Sequence, residues 1–325
     1  MKKVLVLFGG NSFEHNVSCM SAKSILNNID NTKYDVTAAL IDKNNKWYIY
    51  KGDIDNIEKW YSEYIVEIEN IVEFIKQFDI VFPILHGANG EDGRLQGMLD
   101  LFNIKYVGCK ALSSAVCMDK IFSKYVFNYL NIPVVPFVEV TESTVLNEVI
   151  TQFSFPMIVK PANGGSSIGI SKVNNKKELK KAIKEAYKYD SKVLIEKYIV
   201  GRELECAVLV NKDIETSTVG EIKAANEFYD YNAKYENNKS YTIIPAELPD
   251  TVITKIQDYA KKAFIGINAS SLSRVDFFYD EINNQIYLNE INTMPGFTEI
   301  SMYPQLFINE GYTYKELISI LIENA

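Results

Sequence analysis

The amino-acid sequence predicts an α/β fold in which short buried strands alternate with loops and helices. Three apolar runs, at residues 4–8, 36–41 and 80–85, have the length and composition of buried strands. Residues 18–27 have the pattern of a helix, and glycines follow the first and third runs closely. This alternation predicts a parallel sheet, whose ligands bind at the carboxyl ends of its strands.

The rest of the chain divides into two further sections. One begins near residue 108, and residues 54–78 before it are charged and aromatic and match no clear pattern. The elements predicted after residue 108 are, in order, a strand at 155–161, a helix at 176–189, a strand at 192–196 that opens the third section, an apolar stretch at 204–210, a helix at 251–265 and a hairpin from residue 274 onward.

The composition is that of a globular protein of two or three domains. The chain has 325 residues, of which 47% are hydrophobic and 23% charged, and a net charge of -8 without long runs of one sign. This balance predicts no nucleic-acid partner, because such proteins usually present a basic face.

The sequence also predicts a reduced, cytoplasmic chain without a membrane partner. No apolar run reaches the ~18 residues of a membrane helix, and the run at 4–8 is shorter than the ~7–15 residues of a secretory core segment. The four cysteines include no Cys-x-x-Cys pair, and we expect them to be buried packing residues.

The hairpin near the C-terminus carries three oxygen ligands suited to a hard metal ion. Glu290 and Asn292 are two residues apart in a strand and therefore point to the same face. A turn of four or five residues brings Asp276 opposite this pair on the neighbouring strand. Two carboxylates and an amide oxygen suit Mg²⁺, which often also binds substrate phosphates. The alternative is an ordinary half-buried hairpin whose polar residues face the solvent.

A loop rich in glycine and serine follows the strand at 155–161. Its sequence from Lys160 is KPANGGSSIG. Such a loop can turn several backbone N–H groups toward a phosphate, and the lysine at its start would neutralise phosphate charge. The Gly-Lys-Ser/Thr signature of a Walker loop is absent, and a plain flexible turn is the alternative.

The only two histidines of the chain, His15 and His86, both lie in polar loops after predicted strands. They do not have the spacing of paired metal ligands, so we favour roles in hydrogen bonding and substrate orientation. The Gly-Gly turn before His15 lacks Gly-x-Gly-x-x-Gly, which argues against a dinucleotide-dependent oxidoreductase. A turn at 196–203 carries two acids around a glycine and could serve an adenosine, with a surface turn as the alternative.

Taken together, these motifs resemble those of the D-alanine–D-alanine ligases, a family of the ATP-grasp superfamily. The similarity covers nearly the whole chain, through GGNSFEHNVS, HGANGEDGRLQG, SSAVCMDK, KPANGGSSIG, EKYIVGRELE, EFYDYNAKY, RVDFF and NEINTMPGFTEISMYP. Residues 44–78 show no resemblance. The family's fold implies an N-terminal parallel-sheet domain at 1–108, followed by an ATP-grasp fold of two α+β subdomains at 109–195 and 196–325.

The resemblance implies a site for ATP and for two Mg²⁺ or Mn²⁺ ions. The implied metal ligands are Asp276, Glu290 and Asn292. The residues implied to contact phosphates, directly or from the closing loop, are Lys120, Lys160, Lys234, Gly165, Ser166 and Ser167. The residues implied to contact the nucleoside are Glu196, Lys197, Glu203 and Phe228.

The resemblance also implies two D-alanine molecules as substrates and an acyl phosphate as the intermediate of dipeptide formation for peptidoglycan precursors. Glu14 would hold the ammonium group of the first D-alanine, and His86 would lie near its carboxylate. Glu14, Ser166 and Tyr235 would form a hydrogen-bonded trio that links the lids, and Lys234 would reach the transferring phosphate.

The second half of the reaction is assigned by the same resemblance. Arg274 and the backbone N–H of Gly296 would stabilise the oxyanion, and Ser301 and Met302 would help to seat the second D-alanine. The expected assembly is a homodimer.

Two residues bear on the choice of second substrate. D-lactate ligases of this family carry His where the chain has Tyr235, and the resistance ligases commonly carry Arg where it has Met302. Both positions favour D-alanine, although D-serine stays open because a hydrophobic pocket rejects one added hydroxyl only weakly. A degenerate ATP-binding regulator would lack part of the phosphate or metal set, and no expected charged residue is missing.

Overall fold

The computed structural model describes residues 1–223 and 241–325, which form three β-sheets flanked by helices. The strands are β1 (Lys2–Gly9), β2 (Tyr34–Ile41), β3 (Trp47–Tyr50), β4 (Ile65–Glu67), β5 (Ile80–Pro83), β6 (Phe137–Glu139), β7 (Met157–Pro161), β8 (Ser171–Val173), β9 (Val193–Lys197), β10 (Arg202–Asn211), β11 (Asp213–Lys223), β12 (Tyr241–Ile243), β13 (Leu272–Asp280) and β14 (Gln285–Asn292).

The helices lie on the faces and at the ends of these sheets. They are α1 (His15–Asn28), α2 (Ile71–Ile75), α3 (Arg94–Leu101), α4 (Ala111–Met118), α5 (Lys120–Tyr129), α6 (Leu146–Phe153), α7 (Lys176–Ala186), α8 (Asp250–Gly266), α9 (Met302–Asn309) and α10 (Tyr314–Glu323), with a 3-10 helix at Ile54–Ser62.

The N-terminal sheet has the strand order β4-β3-β2-β1-β5. Strand β1 pairs in parallel with both β2 and β5, which confirms the parallel arrangement predicted from the three apolar runs. Strands β3 and β4 extend the sheet with antiparallel pairs. Residues 4–8 are fully buried, as expected for a strand covered on both faces. The carboxyl ends of β1 and β5 meet at one edge, where the two histidine loops begin.

Residues 44–78, in which the sequence shows no recognisable pattern, contain β3, the 3-10 helix, β4 and α2. These elements are only three to nine residues long, too short to show a clear hydrophobic period. Trp60 of the 3-10 helix stacks on Tyr48 and donates its indole N–H to Nε2 of His15 over 3.0 Å. The segment therefore packs beside the loop that follows β1.

The other two sheets are antiparallel. The four-stranded sheet has the order β6-β9-β7-β8, and the five-stranded sheet has the order β12-β11-β10-β13-β14. Strand β9 ends with Glu196 and Lys197, so these two residues belong to the four-stranded sheet. The division of the chain at residues 108 and 195 stays a prediction.

Two large apolar clusters hold the sheets and helices in place. One joins the N-terminal sheet to the last helices, and in it the rings of Phe82 and Phe297 meet edge to face at 6.1 Å. The other lies under the five-stranded sheet and includes Phe264 of α8. Because residues from both ends of the chain share the first cluster, the loops after β5 and β14 are brought together. None of the described helices has both the length and the apolar character needed to cross a membrane.

We predict that Phe264→Ala lowers the free energy of unfolding by about 3–5 kcal/mol, because removing a fully buried ring leaves a cavity. The matched control is Ile265→Ala, at the next position of the same helix, where the side chain is 56% exposed. This control should change the free energy of unfolding by about 0.5 kcal/mol or less. Chemical denaturation measures both variants, and equal losses would contradict the placement of α8.

Candidate active site

Two adjoining cavities lie between the three sheets. We call the larger, of about 440 Å³, the nucleotide cavity and the smaller, of about 230 Å³, the substrate cavity, after the ligands that the sequence resemblance implies. Both are lined by Lys120, by Gly164 to Ser166 of the glycine-rich loop, and by Glu290. The shared wall is therefore made of a lysine, a backbone-rich loop and a carboxylate. Groups of this kind can hold a phosphate that passes from one cavity to the other.

The C-terminal hairpin has the register that the sequence predicts. Asp276 of β13 lies directly opposite Glu290 of β14, and Arg274 lies opposite Asn292. The amide nitrogen Nδ2 of Asn292 donates to Oδ2 of Asp276 over 2.9 Å. Among the described residues, no group of three or more His, Cys, Asp or Glu side chains has the geometry of a metal site. The carboxylates of Asp276 and Glu290 and the side-chain oxygen of Asn292 form an oxygen donor set that would suit Mg²⁺.

Arg274 is half-buried between two carboxylates. Its Nε and Nη2 donate to the two carboxylate oxygens of Asp276, each over 2.7 Å, and Nε also lies 2.8 Å from Oε2 of Glu205. Burial by itself would lower the pKa of this guanidinium, but the two carboxylates outweigh it and hold the pKa well above its ordinary value. Arg274 is thus a permanent positive charge in the wall of the substrate cavity.

Glu205 is a site residue that the sequence reasoning missed. It lies opposite Asp276 in the pairing of β10 with β13, so Glu205, Asp276 and Glu290 form one row across three strands. The sequence signal is the spacing of Glu203 and Glu205, which are two apart in a strand and therefore share a face.

The glycine-rich loop is wound by a run of left-handed backbone conformations. The φ angles are 129° at Gly164, 51° at Ser166, 59° at Ser167 and 75° at Gly169. Such conformations turn successive backbone N–H groups toward one side, which is the geometry of an anion site. Lys120 lies at the start of α5, and its ammonium group donates a hydrogen bond to the carbonyl oxygen of Gly164 over 2.6 Å. Lys120 and the glycine-rich loop, which are both predicted to contact phosphates, are therefore adjacent.

The far end of the nucleotide cavity carries a buried cluster of two lysines and one glutamate. Lys160 lies 2.8 Å from Oε2 of Glu196, and Lys124 lies 2.9 Å from Oε1 of the same side chain. Burial would raise the pKa of Glu196, but Lys124 and Lys160 outweigh it, so the pKa is lowered. Glu203 and Lys197 also line this cavity.

Glu14 connects the first sheet to the glycine-rich loop. The hydroxyl of Ser166 donates to Oε1 of Glu14 over 2.5 Å. A Cβ atom added at Gly87 or at Gly165 would lie 2.8 or 2.9 Å from Oε2 of Glu14, so a side chain at either position would require this carboxylate to move. Two members of the predicted trio are therefore in contact. The third, Tyr235, lies outside the described residues, as do Phe228 and Lys234.

His86 is buried in the wall of the substrate cavity, and both of its ring nitrogens form hydrogen bonds with other residues of the chain. Nδ1 lies 3.0 Å from the carbonyl oxygen of Met294, and Nε2 lies 3.0 Å from the hydroxyl of Ser21. Burial lowers its pKa, so the ring is neutral, donates from Nδ1 and accepts at Nε2. Ser21 in turn accepts the backbone N–H of Phe297 over 3.3 Å. His86 thus ties the loop after β5 to the loop that carries Gly296.

Glu91 makes a second connection between the same two loops, and the sequence reasoning missed it as well. Its two carboxyl oxygens accept the backbone N–H groups of Gly87 over 2.6 Å and of Met294 over 3.2 Å. Burial, reinforced by the charge of Glu14, raises its pKa to about 8. Its position in the polar HGANGEDG loop was visible in the sequence, but its hydrogen bond to the backbone of Met294 was not.

Every described residue that the sequence assigned to the site lines one of the two cavities. The substrate cavity is also lined by Gly296, Ser301 and Met302, and the nucleotide cavity is also lined by Ser167. Their roles stay predictions.

Two family models match this chain. The model described as D-ala D-ala ligase N-terminus matches residues 3–109, and the model described as D-ala D-ala ligase C-terminus matches residues 126–323. The chain belongs to the D-alanine–D-alanine ligase family. This membership confirms the resemblance found in the sequence motifs.

Relatives in this family are similar over their whole length. The D-alanine–D-alanine ligase of Acetivibrio thermocellus is 46% identical, with 100% of this chain and 96% of the relative covered. The ligase of Thermoanaerobacter sp. is also 46% identical, with the same coverage.

Solved structures of family members share the architecture. The VanG D-Ala:D-Ser ligase of Enterococcus faecalis has a TM-score of 0.90 at 35% identity, covering 99% of this chain and 98% of that one. The D-alanine–D-alanine ligase of Coxiella burnetii has a TM-score of 0.83 at 34% identity, covering 99% and 93%. The predicted fold class, a parallel-sheet domain followed by an ATP-grasp fold, is confirmed by these similarities.

The raised pKa of Glu91 predicts a pH dependence of stability. At pH values between the ordinary pKa of this carboxyl group, 4.5, and its raised pKa of about 8, Glu91 is protonated in the folded chain and ionised in the unfolded chain. Glu91 therefore makes the folded state lose stability as the pH rises through this window. The Glu91→Gln variant should lose less stability than the wild type between pH 5 and pH 8, measured by urea unfolding. The exposed Glu142→Gln should follow the wild type, and an identical pH slope for Glu91→Gln would contradict the prediction.

Proposed function

We propose that the chain catalyses the ATP-dependent ligation of two D-alanine molecules to D-alanyl-D-alanine, through an acyl phosphate and for peptidoglycan precursor synthesis. The observation that carries this proposal is the wall shared by the two cavities, where Lys120, the glycine-rich loop and Glu290 meet. A phosphate held there can reach a carboxylate bound in the substrate cavity.

The nucleotide cavity is proposed to bind ATP, with its phosphates toward the shared wall. Lys120, Lys160 and the glycine-rich loop would neutralise and orient the phosphates. Asp276, Glu290 and Asn292 would hold two Mg²⁺ or Mn²⁺ ions, which when bound supply further charge neutralisation. Glu196, Lys197 and Glu203 would contact the nucleoside.

The substrate cavity is proposed to bind the two amino acids. Glu14 would hold the ammonium group of the first D-alanine, whose carboxylate then points toward the shared wall and becomes the acyl phosphate. The amine of the second D-alanine attacks this activated carbonyl, and phosphate leaves. Arg274, with the backbone N–H of Gly296, is proposed to stabilise the oxyanion that forms. Ser301 and Met302 line the same cavity and are proposed to seat the second D-alanine.

D-alanine is the proposed second substrate, and D-serine is the competing one. The relatives with 46% identity are named D-alanine–D-alanine ligases, whereas the structure with a TM-score of 0.90 is a D-Ala:D-Ser ligase. Met302 is apolar and buried beside the cavity, and it favours a methyl group over a charged or polar one. The homodimer and the cytoplasmic location stay predictions.

The deciding experiment is a competition assay. The chain is supplied with ATP, Mg²⁺ and equal concentrations of D-alanine, D-serine and D-lactate, and the products are identified by mass spectrometry. We expect D-alanyl-D-alanine as the main product, with one phosphate released per dipeptide and none with L-alanine. The absence of D-alanine-dependent turnover would overturn the proposal. A mixed D-alanyl-D-serine product as the main species would change only the second substrate.

The assignment of Glu290 is tested by Glu290→Gln. Removing one carboxylate that faces both cavities should reduce kcat by roughly a hundredfold or more, because charge stabilisation by a bound metal contributes several kcal/mol. Thermal unfolding without nucleotide should change little. The control is Glu281→Gln in the turn of the same hairpin, where the side chain is 58% exposed and kcat should be unchanged. Near-normal turnover of Glu290→Gln would remove Glu290 from the metal set.

A further inference from the structure

Lys124 is a buried lysine to which the proposed reaction gives no role. It lies in α5, and its side chain is 0% exposed. Its ammonium lies 2.9 Å from Oε1 of Glu196, 3.5 Å from the carbonyl oxygen of Asn289 and 5.8 Å from the centre of the Phe137 ring. Removing a charge from water is costly unless it is paired, so this lysine is held in place by Glu196.

Lys124 differs from Lys160 in its access to the nucleotide cavity. The described lining of this cavity includes Lys160 and Glu196 but not Lys124. Lys124 therefore does not face the cavity, and its ion pair with Glu196 connects it to the cavity wall. Lys160, which also lies 3.5 Å from Oδ1 of Asn289, faces the cavity directly.

Glu196 keeps acceptor capacity beside its two ion pairs. Lys124 pairs with Oε1 over 2.9 Å and Lys160 pairs with Oε2 over 2.8 Å, and each oxygen of a carboxylate carries two lone pairs. The remaining lone pairs of this carboxylate suit an N–H donor on a bound molecule. The cavity beside it has apolar walls that include Ile158, Leu204 and Phe277, which suit the faces of a base.

We propose that Lys124 is a positioning residue that fixes Glu196 as a charged acceptor, and thereby selects a base with an exocyclic amine over a base with a carbonyl at the same position. This inference rests on the proposed use of ATP. A carboxylate attracts the amine of adenine, whereas it repels the carbonyl oxygen of hypoxanthine or guanine. Without Lys124, the buried Glu196 keeps Lys160 as its one remaining ion-pair partner among the described residues, and it more readily takes up a proton for donation to a carbonyl.

The test compares ATP with ITP, which carries a carbonyl oxygen in place of the adenine amine. The ratio of kcat/KM for ATP to that for ITP is measured in the wild type, in Lys124→Met, in Glu196→Gln and in the double variant. We expect Lys124→Met to lower this ratio about tenfold or more, the effect of losing one charge-assisted hydrogen bond. The KM for ATP should rise, while the KM for D-alanine stays near the wild-type value.

A merely structural role for Lys124 gives a different result. In that case Lys124→Met lowers the melting temperature but leaves the ATP-to-ITP ratio unchanged, and the proposal is overturned. The double variant should have the same ATP-to-ITP ratio as Glu196→Gln alone, because Lys124 acts through the carboxylate that Glu196→Gln removes. A further drop would mean that Lys124 acts on the nucleotide by another route and would also overturn the proposal.

Two additions keep the test decisive. If Lys124→Met does not fold, Lys124→Gln carries the same comparison with a polar side chain, and calorimetric binding of ADP and IDP replaces turnover. Lys188→Met, which removes a surface lysine paired with Glu185, is the control and should leave the ratio unchanged. Dipeptide formation by the wild type with ATP is measured first, so that failure of the proposed function is distinguished from failure of the role of Lys124.

Discussion

The pairing of Arg274 with two carboxylates is the interaction on which the rest of the site depends. A guanidinium that is largely removed from water needs a matching charge, and Asp276 and Glu205 supply it from the same strand and from the neighbouring one. Those carboxylates are in turn kept together only because the cation lies between them. The register of β10, β13 and β14 is therefore tied to this charge, and the register also sets the position of Glu290.

The same principle organises the nucleotide cavity. The chain has a net charge of -8, so no general field draws an anion into the cleft. The positive charge is local instead, on Lys120 at the start of α5 and on Lys160 at the end of β7. Glu196 and Glu290 offset part of it, so a bound phosphate would also depend on the backbone N–H groups of the glycine-rich loop.

In the substrate cavity, hydrogen bonds of uncharged side chains complement the charge of Arg274. His86 and Glu91 both bind the backbone of Met294, and both have pKa values shifted by burial toward the uncharged form. They fasten the loop after β5 to the loop after β14, which are about two hundred residues apart in the chain. A wall fastened in this way would help to limit the access of water to an acyl phosphate.

The sequence by itself determined the features that arise from near neighbours. Strand alternation placed Glu290 and Asn292 on one face, a short turn brought Asp276 opposite them, and glycines marked the loop that winds over the phosphate wall. The family motifs pointed to most of the other residues that line the two cavities, because each motif is a contiguous segment of the sequence.

Only the tertiary structure decided which charges are buried and which partners neutralise them. Glu205, Glu91 and Lys124 are ordinary charged residues in the sequence, and their importance comes from contacts with residues that are 69 to 203 positions away. Likewise, no pattern in residues 44–78 indicates that Trp60 donates a hydrogen bond to His15. Such contacts depend on how separate elements pack, and local periodicity carries no information about that packing.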